Sequence, residues 1–179
     1  MYLDGLETER FYFRAISEDD ILIWEEFLSD PQTIHLFPKA TLSVHDQSVF
    51  SIRKQLSRYK ENRLGLHAMI HKDSGEYIDQ SGLLTQILDG KDEIEIGYHL
   101  MPAFRGMGFA TEAAGFCKEF AFKNNITDCV ISIIVIENRN SQKVAERNGM
   151  HLERKTSYFG EEVFVYRVNR PDQFEPTMR

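Results

Sequence analysis

Near the middle of the chain, residues 93–120 (EIEIGYHLMPAFRGMGFATEAAGFCKEF) join a strand pattern to a helix pattern through a turn built on Gly106 and Gly108. No other stretch restricts the fold as much. Before the turn, a period-two alternation puts Glu93, Glu95, Gly97 and His99 on one face of a strand, and Ile94, Ile96, Tyr98 and Leu100 on the other. After it, Ala113, Phe116, Cys117, Phe120 and Ala121 recur at helical spacing as far as about Lys123. Small residues at such a joint let backbone amides approach an anion at the positive end of a helix, so Arg105, Gly106, Gly108 and Ala110 suit a pyrophosphate. The same residues make an ordinary tight strand-to-helix turn, and alone they leave both readings open. The segment lacks the Gly-Lys-Ser/Thr ending of a nucleotide-hydrolase loop. A dinucleotide fingerprint would need a third small residue where Thr111 stands.

The flanking patterns predict a single domain spanning residues 1–179. Arg10 to Ile16 reads as a strand. Ser17, with Asp20 three residues on, caps a helix whose apolar face is Ile21, Trp24 and Leu28, ending by Asp30 because of Pro31. A second helix starts at about Ser43, with Val49, Ile52, Leu56 and Tyr59 as its stripe, and stops at Gly65. Strands follow at Leu66–Ile70 and Tyr77–Leu88, hinged at KDSGE, and then the strand already described. The near-continuous apolar run CVISIIVI, residues 129–136, reads as a buried strand. A short helix spans Ser141–Arg147, and strands near Leu152–Tyr158 and Val163–Val168 close the pattern. The predicted order is β-α-α-β-β-β-α-β-α-β-β, with residues 169–179 as a loose tail.

Charge and composition narrow the partners. With 28 acidic against 21 basic residues the net charge is -7, and no run of Lys and Arg is available to neutralise a phosphate backbone, so nucleic acid is not an expected partner. An acidic surface instead favours cationic substrates such as amines. The N-terminal MYLDGLETER has no apolar segment of the signal-peptide kind, and no apolar run reaches the roughly 20 residues of a membrane span, so a cytoplasmic protein without a membrane partner is expected. Cys117 and Cys129 lack metal-ligand or CxxC spacing and read as small core residues. His35, His45, His67, His71 and His151 are equally scattered, so no metal is expected. Trp24, Phe116 and Phe120 sit on helical stripes and read as core, and Tyr158 and Tyr166 as strand packing.

Arg105 to Ala110 has the form Arg/Gln-x-x-Gly-x-Gly/Ala, which resembles the acetyl-CoA pyrophosphate loop of GNAT-type N-acetyltransferases. A second block follows at the family's spacing: Asn138-Arg139-Asn140-Ser141, Val144, then Glu146-Arg147-Asn148-Gly149-Met150 is similar to Asn-x-x-Ser/Ala, apolar residues, Glu-Lys-x-Gly-Phe. The opening ETERFYFRAISEDD, LSDP at residues 28–31, and EIGYHLMP resemble the branch that includes ribosomal-protein N-terminal alanine and serine acetyltransferases. The resemblance runs from residue 8 to about 168.

The resemblance implies an α+β, three-layer fold with about four helices and a mixed central sheet of about seven strands, splayed between the fourth and fifth. Acetyl-CoA, as acyl donor, would place its pantetheine arm in that gap along His99, Leu100 and Met101, and its pyrophosphate on Arg105, Gly106, Met107, Gly108, Phe109 and Ala110. A primary amine, from a protein N-terminus or a small molecule, would attack the thioester directly through a tetrahedral intermediate. Glu95 is the first candidate for general base, sharing its strand face with Glu93 and with His99, the second candidate. Many relatives carry a Tyr as acid seven residues after the Asn of the second block, where this chain has Ala145. Ser141 is the matching substitute, with a helix-cap role as its alternative, and Asn138 divides between a cofactor contact and a cap. The missing Tyr keeps open a non-catalytic acyl-CoA-binding sensor, and the loop does not read the acyl group, which keeps open a different acyl-CoA. The acceptor side would be shaped by the N-terminal helices, the loop around His35 to Leu42 and the closing strands. Monomer and homodimer are both compatible.

Overall fold

A computed structural model describes residues 2–34 and 41–172. Its strands are β1 (Phe11–Arg14), β2 (Leu66–His71), β3 (Tyr77–Leu88), β4 (Lys91–Tyr98), β5 (Cys129–Val135), β6 (His151–Tyr158) and β7 (Glu161–Asn169). The helices are α1 (Ile21–Ser29), α2 (Pro31–Ile34), α3 (Val44–Lys60), α4 (Phe109–Lys123) and α5 (Arg139–Arg147). The strands form one sheet in the order β1-β2-β3-β4-β5-β7-β6, antiparallel except for the central β4–β5 pair. That pair is parallel and registered only at Glu95 and Ile131, after which the strands part. This is the mixed, splayed seven-strand sheet the resemblance implied.

Two cores flank the sheet. On one face α4 brings mostly small side chains, Ala110, Ala113, Ala114, Cys117 and Ala121, with Phe109 and Phe122 at its ends, down onto Phe11, Phe13, Leu83, Ile96 and Val130, and α5 adds Val144 and Ala145. On the other face α1 and α3 cover Leu66, Ala68 and Ile70 with Trp24, Phe27, Leu28 and Ile52. Truncating one of these buried rings costs about 3–5 kcal/mol. Trp24 is core as expected, whereas Phe116 and Phe120 are only half-buried at the rim of the first core.

The fold departs from expectation in three places. There are five α-helices among the described residues, because Pro31 both ends α1 and opens the one-turn α2; its fixed φ suits a first helical position. Asp30 caps that turn, accepting from the Thr33 hydroxyl at 2.7 Å and the Gln32 amide at 3.3 Å. Asn169 belongs to β7, and the Arg170 amide donates to Asp128 O at 2.7 Å while its guanidinium reaches Phe122 O, so the start of the expected loose tail is anchored. Residues 173–179 of that tail lie outside the described residues. Cys129, expected in the core, is half-buried beside the Arg167 guanidinium.

The acidic face of β4 turns inward. Glu93 is 8% exposed and binds Arg167 through both oxygens, at 2.5 and 3.1 Å. Removing one partner of a buried ion pair leaves the other uncompensated, at a cost of about 3 kcal/mol. Glu93→Ala is therefore expected to lower unfolding stability by about 2–3 kcal/mol in a urea titration, since Glu153 still holds Arg167 at 2.8 Å. A loss below about 0.5 kcal/mol would show that the pair contributes no more than a surface bridge.

Candidate active site

The turn before α4 is shaped by its glycines. Gly106 and Gly108 have φ of +76° and +87°, a left-handed region that costs other L residues about 1–2 kcal/mol. The amides of Gly106, Met107 and Gly108 donate to no described residue. The next amides, on Phe109, Ala110 and Thr111, are left over by helix geometry. Phe109 and Ala110 bury their side chains in the core, which fixes the loop, while Met107 is exposed. The result is a concave row of free N–H groups at a helix N-terminus, the arrangement that accepts a phosphate.

Arg105 does not face that row. Its Nε donates to Leu100 O at 3.1 Å, its Nη1 to Asp30 at 2.8 Å, and its Nη2 to the Thr33 hydroxyl, while its amide bonds Pro102 O at 3.3 Å. Its side chain ties the loop to α1 instead. The cation beside the row is Arg10, which the sequence marked only as a strand start. Arg10 donates from Nη1 to Met107 O at 2.8 Å, pairs with Glu112 at 2.6 Å, and lies 4.1 Å over the Phe109 ring. No local motif announces it, because 97 residues separate it from Met107.

The splay exposes the backbone of β4. The His99 amide donates to Gln80 O at 2.9 Å and the Met101 amide to Ile78 O at 3.0 Å. These two amides are spent on β3, and the Met101 side chain is buried against α1, so neither is available as a donor along the gap. By the alternation of an antiparallel ladder, Tyr98 and Leu100 direct their amides the other way, toward β5. The Leu100 amide has no hydrogen bond to a described residue. At the inner end of the gap the Ser132 hydroxyl donates to Ile96 O at 3.3 Å and closes the sheet.

A helix-start loop whose amides bond no described residue thus lies beside a parted parallel pair. The model of the "Acetyltransferase (GNAT) domain" family matches residues 10–151. This chain belongs to the GNAT acetyltransferase family. It is 30% identical over 164 residues to the uncharacterized protein YkkB of Bacillus subtilis (strain 168), covering 90% of this chain and 93% of YkkB. The fold is similar to an acetyltransferase from Agrobacterium tumefaciens str. C58, with TM-score 0.78, 24% identity, and 95% and 96% of the two chains covered. It is also similar to RimL, a ribosomal L7/L12 alpha-N-protein acetyltransferase solved in complex with coenzyme A, with TM-score 0.74, 13% identity, and coverage of 94% and 97%.

In this GNAT chain Glu95 stands at the vertex of the splay. Its carboxylate accepts from Gln86 Nε2 at 2.6 Å and, more weakly, from the first unpaired β5 amide, Ile133, at 3.4 Å. Burial pushes the carboxyl up to about 7, against the pull of those hydrogen bonds and of Arg58 and Lys54. Gln86 is itself oriented by the Tyr158 hydroxyl, which donates to its Oε1 at 2.9 Å. Tyr158 is thus more than strand packing, and Gln86 was not singled out; both lie a hairpin or more away in sequence, where periodicity carries no signal. His99 lies on the same face against Trp24 and Phe27, with ring centroids 5.0 and 5.6 Å away, and burial pulls its imidazole down to about 4.

Across the gap, Asn138 caps α5 by accepting from the Ser141 amide at 3.0 Å, so its side chain takes the cap role. Ser141 O accepts from the Tyr98 hydroxyl at 3.1 Å, and the Ser141 side chain lies against the same hydroxyl. Ala145 is buried in the α4-side core. Among the described residues no group of His, Cys, Asp or Glu is arranged to hold a metal ion. His35 and most of the loop expected to shape the acceptor side lie outside the described residues.

A Cβ on Gly106 would meet nothing within 4 Å, so Gly106→Ala changes backbone preference alone. If the loop cradles pyrophosphate, this substitution is expected to weaken coenzyme A binding about tenfold by calorimetry, the equivalent of about 1.4 kcal/mol of strain. Unchanged affinity in a folded variant would rule out the cradle.

Proposed function

We propose that the protein transfers an acetyl group from acetyl-CoA to a primary amine, on a protein N-terminus or a small molecule, by direct attack within a ternary complex. Acetyl-CoA supplies the acyl thioester. The observation that carries the reading is Glu95, a half-buried carboxyl at the vertex of the splay with its pKa raised to about 7. A base poised there takes a proton from an incoming ammonium more readily than a surface carboxylate would. His99 is the weaker candidate, since a neutral imidazole with its pKa near 4 holds a proton poorly. It suits instead an apolar wall with Trp24 and Phe27.

The free Leu100 amide, with Tyr98 beside it, supports an oxyanion-stabilising role, because a backbone donor fixed by the sheet needs no reorganisation as charge develops. The Ser141 hydroxyl, beside Tyr98 at the start of α5, supports hydrogen bonding to the departing sulfur. The amides of residues 106–110, beside Arg10, support the pyrophosphate site.

The burial of Ala145 at the family's Tyr position favours a second reading, a non-catalytic acyl-CoA sensor. Thiol release from acetyl-CoA across a panel of amines and N-terminal peptides separates the two, since a sensor binds coenzyme A and releases none.

With an active amine, kcat should rise as pH increases through about 7, because the base works only when ionised and its burial raises that pKa. Glu95→Gln is expected to lower kcat at least about 100-fold and to erase that limb while coenzyme A affinity stays the same. Near-normal turnover with the limb retained would remove Glu95 from the role.

A further inference from the structure

Helix α3 carries two cations toward Glu95. Lys54 and Arg58 stand one turn apart on it, and both act on the Glu95 carboxyl. Strand register gives their level: Leu66 pairs with Gly82 and Leu84 with Glu95, so Leu64, two residues before Leu66, comes level with Leu84 and hence with Glu95. Arg58 Nη1 donates to Leu64 O at 3.0 Å, about two strand spacings, or roughly 10 Å, from the β4 backbone at Glu95. Other cations near this end of α3 are matched, Arg53 by Glu18 at 3.2 Å and Arg63 by Glu61 at 2.7 Å. Lys54 and Arg58 are not: neither comes within ion-pair distance of a carboxylate among the described residues.

Like charges at this spacing repel, and an arginine is almost never so deeply buried without a counter-ion. Arg58 is 5% exposed, yet its Nε has no hydrogen-bond partner and its Nη2 bonds no described residue. With Nη1 spent on Leu64 O, the unmatched Nε–Nη2 edge is the fork of two parallel N–H donors that fits the two oxygens of a carboxylate. Glu95 does not fill it, since its oxygens accept from Gln86 and the Ile133 amide. Lys54 is exposed, while Glu95 and the Tyr158 ring that faces Glu95 and Arg58 are half-buried, so the groups around this fork reach solvent.

We propose that Arg58 and Lys54 form a subsite for a carboxylate carried by the acceptor, which holds the far end of the molecule while its amine meets Glu95. The inference rests on the reading of Glu95 as the base of an acetyltransferase. The acceptor is then zwitterionic, with amine and carboxylate less than roughly 10 Å apart: an amino acid, or a peptide N-terminus followed by an acidic side chain. The net charge of -7 accounts for the attraction of the ammonium, and the two unmatched cations of α3 account for the opposite end.

The test compares carboxylates with their neutral amides: the amino acids from glycine to 6-aminohexanoate, each against its amide, and C-terminally amidated peptides beginning Ala-Glu against Ala-Gln. Binding is read by calorimetry on protein saturated with coenzyme A, and kcat/KM by thiol release from acetyl-CoA. In at least one pair the carboxylate is expected to bind about tenfold tighter or more and to have the higher kcat/KM, and the pair that shows it tells a small molecule from a protein N-terminus. Arg58→Gln is expected to erase the preference. Lys54→Gln, at an exposed position, is expected to reduce it and serves if Arg58→Gln does not fold. No preference in any pair, or one that both substitutions leave unchanged, overturns the subsite. Thiol release from carboxylates and amides alike defeats the subsite and leaves acetyl transfer standing. A carboxylate preference in binding that the variants lose, without thiol release from any amine, defeats acetyl transfer and keeps the subsite.

Discussion

Backbone hydrogen bonds are nearly always satisfied inside a protein, and the site depends on the place where this sheet leaves them unmade. β4 and β5 run parallel, meet at Glu95 and Ile131, and separate. The features the proposed reaction uses follow from that parting: the Leu100 amide bonds no described residue, Glu95 lies at the vertex where it reaches the Ile133 amide of β5, and α4 begins a few residues further on. Side chains that prevent collapse of the gap are modest. Ser132 closes its inner end, Tyr98 leans across to Ser141, and Arg105 ties the outer segment down to Asp30 and Thr33.

The same geometry reconciles a net charge of -7 with an anionic ligand. The global field opposes a pyrophosphate, so in the proposed reading its attraction would be local, from the fixed peptide dipoles of the loop before α4 and from Arg10. On the far face of the sheet the balance reverses. Burial destabilises Glu95 as an anion, which in the proposed reaction favours uptake of a proton from the acceptor. Glu93, on the same strand face, has Arg167 hydrogen-bonded to both of its oxygens. Two carboxylates of one strand face therefore differ in whether a guanidinium is hydrogen-bonded to them.

The fold was largely legible in the sequence. Period-two alternation located β4 and its faces, the Ser17–Asp20 and Ser43–Asp46 pairs marked helix starts, and the glycines at 106 and 108 marked the loop. The turn at Pro31 was read only as a stop, because a proline that ends one helix also suits the first position of the next. Candidate positions were legible where a motif held them together along the chain: Gly106 to Ala110 form the turn into α4, and Asn138 caps α5 at Ser141. They were not where partners come from distant strands. Arg105 fits the phosphate motif yet turns inward, and Arg10, without a motif, takes the place beside the loop.

Local pattern by itself determined the order of elements, the position of the loop and the family, since each follows from residue spacing within one element or one turn. Tertiary structure alone decided which amides bond no described residue, that Glu93 pairs with Arg167 while Glu95 does not, and that Gln86 and Tyr158 stand behind Glu95. Those facts depend on register between strands and on desolvation, and both arise only when segments far apart in the chain are brought into contact.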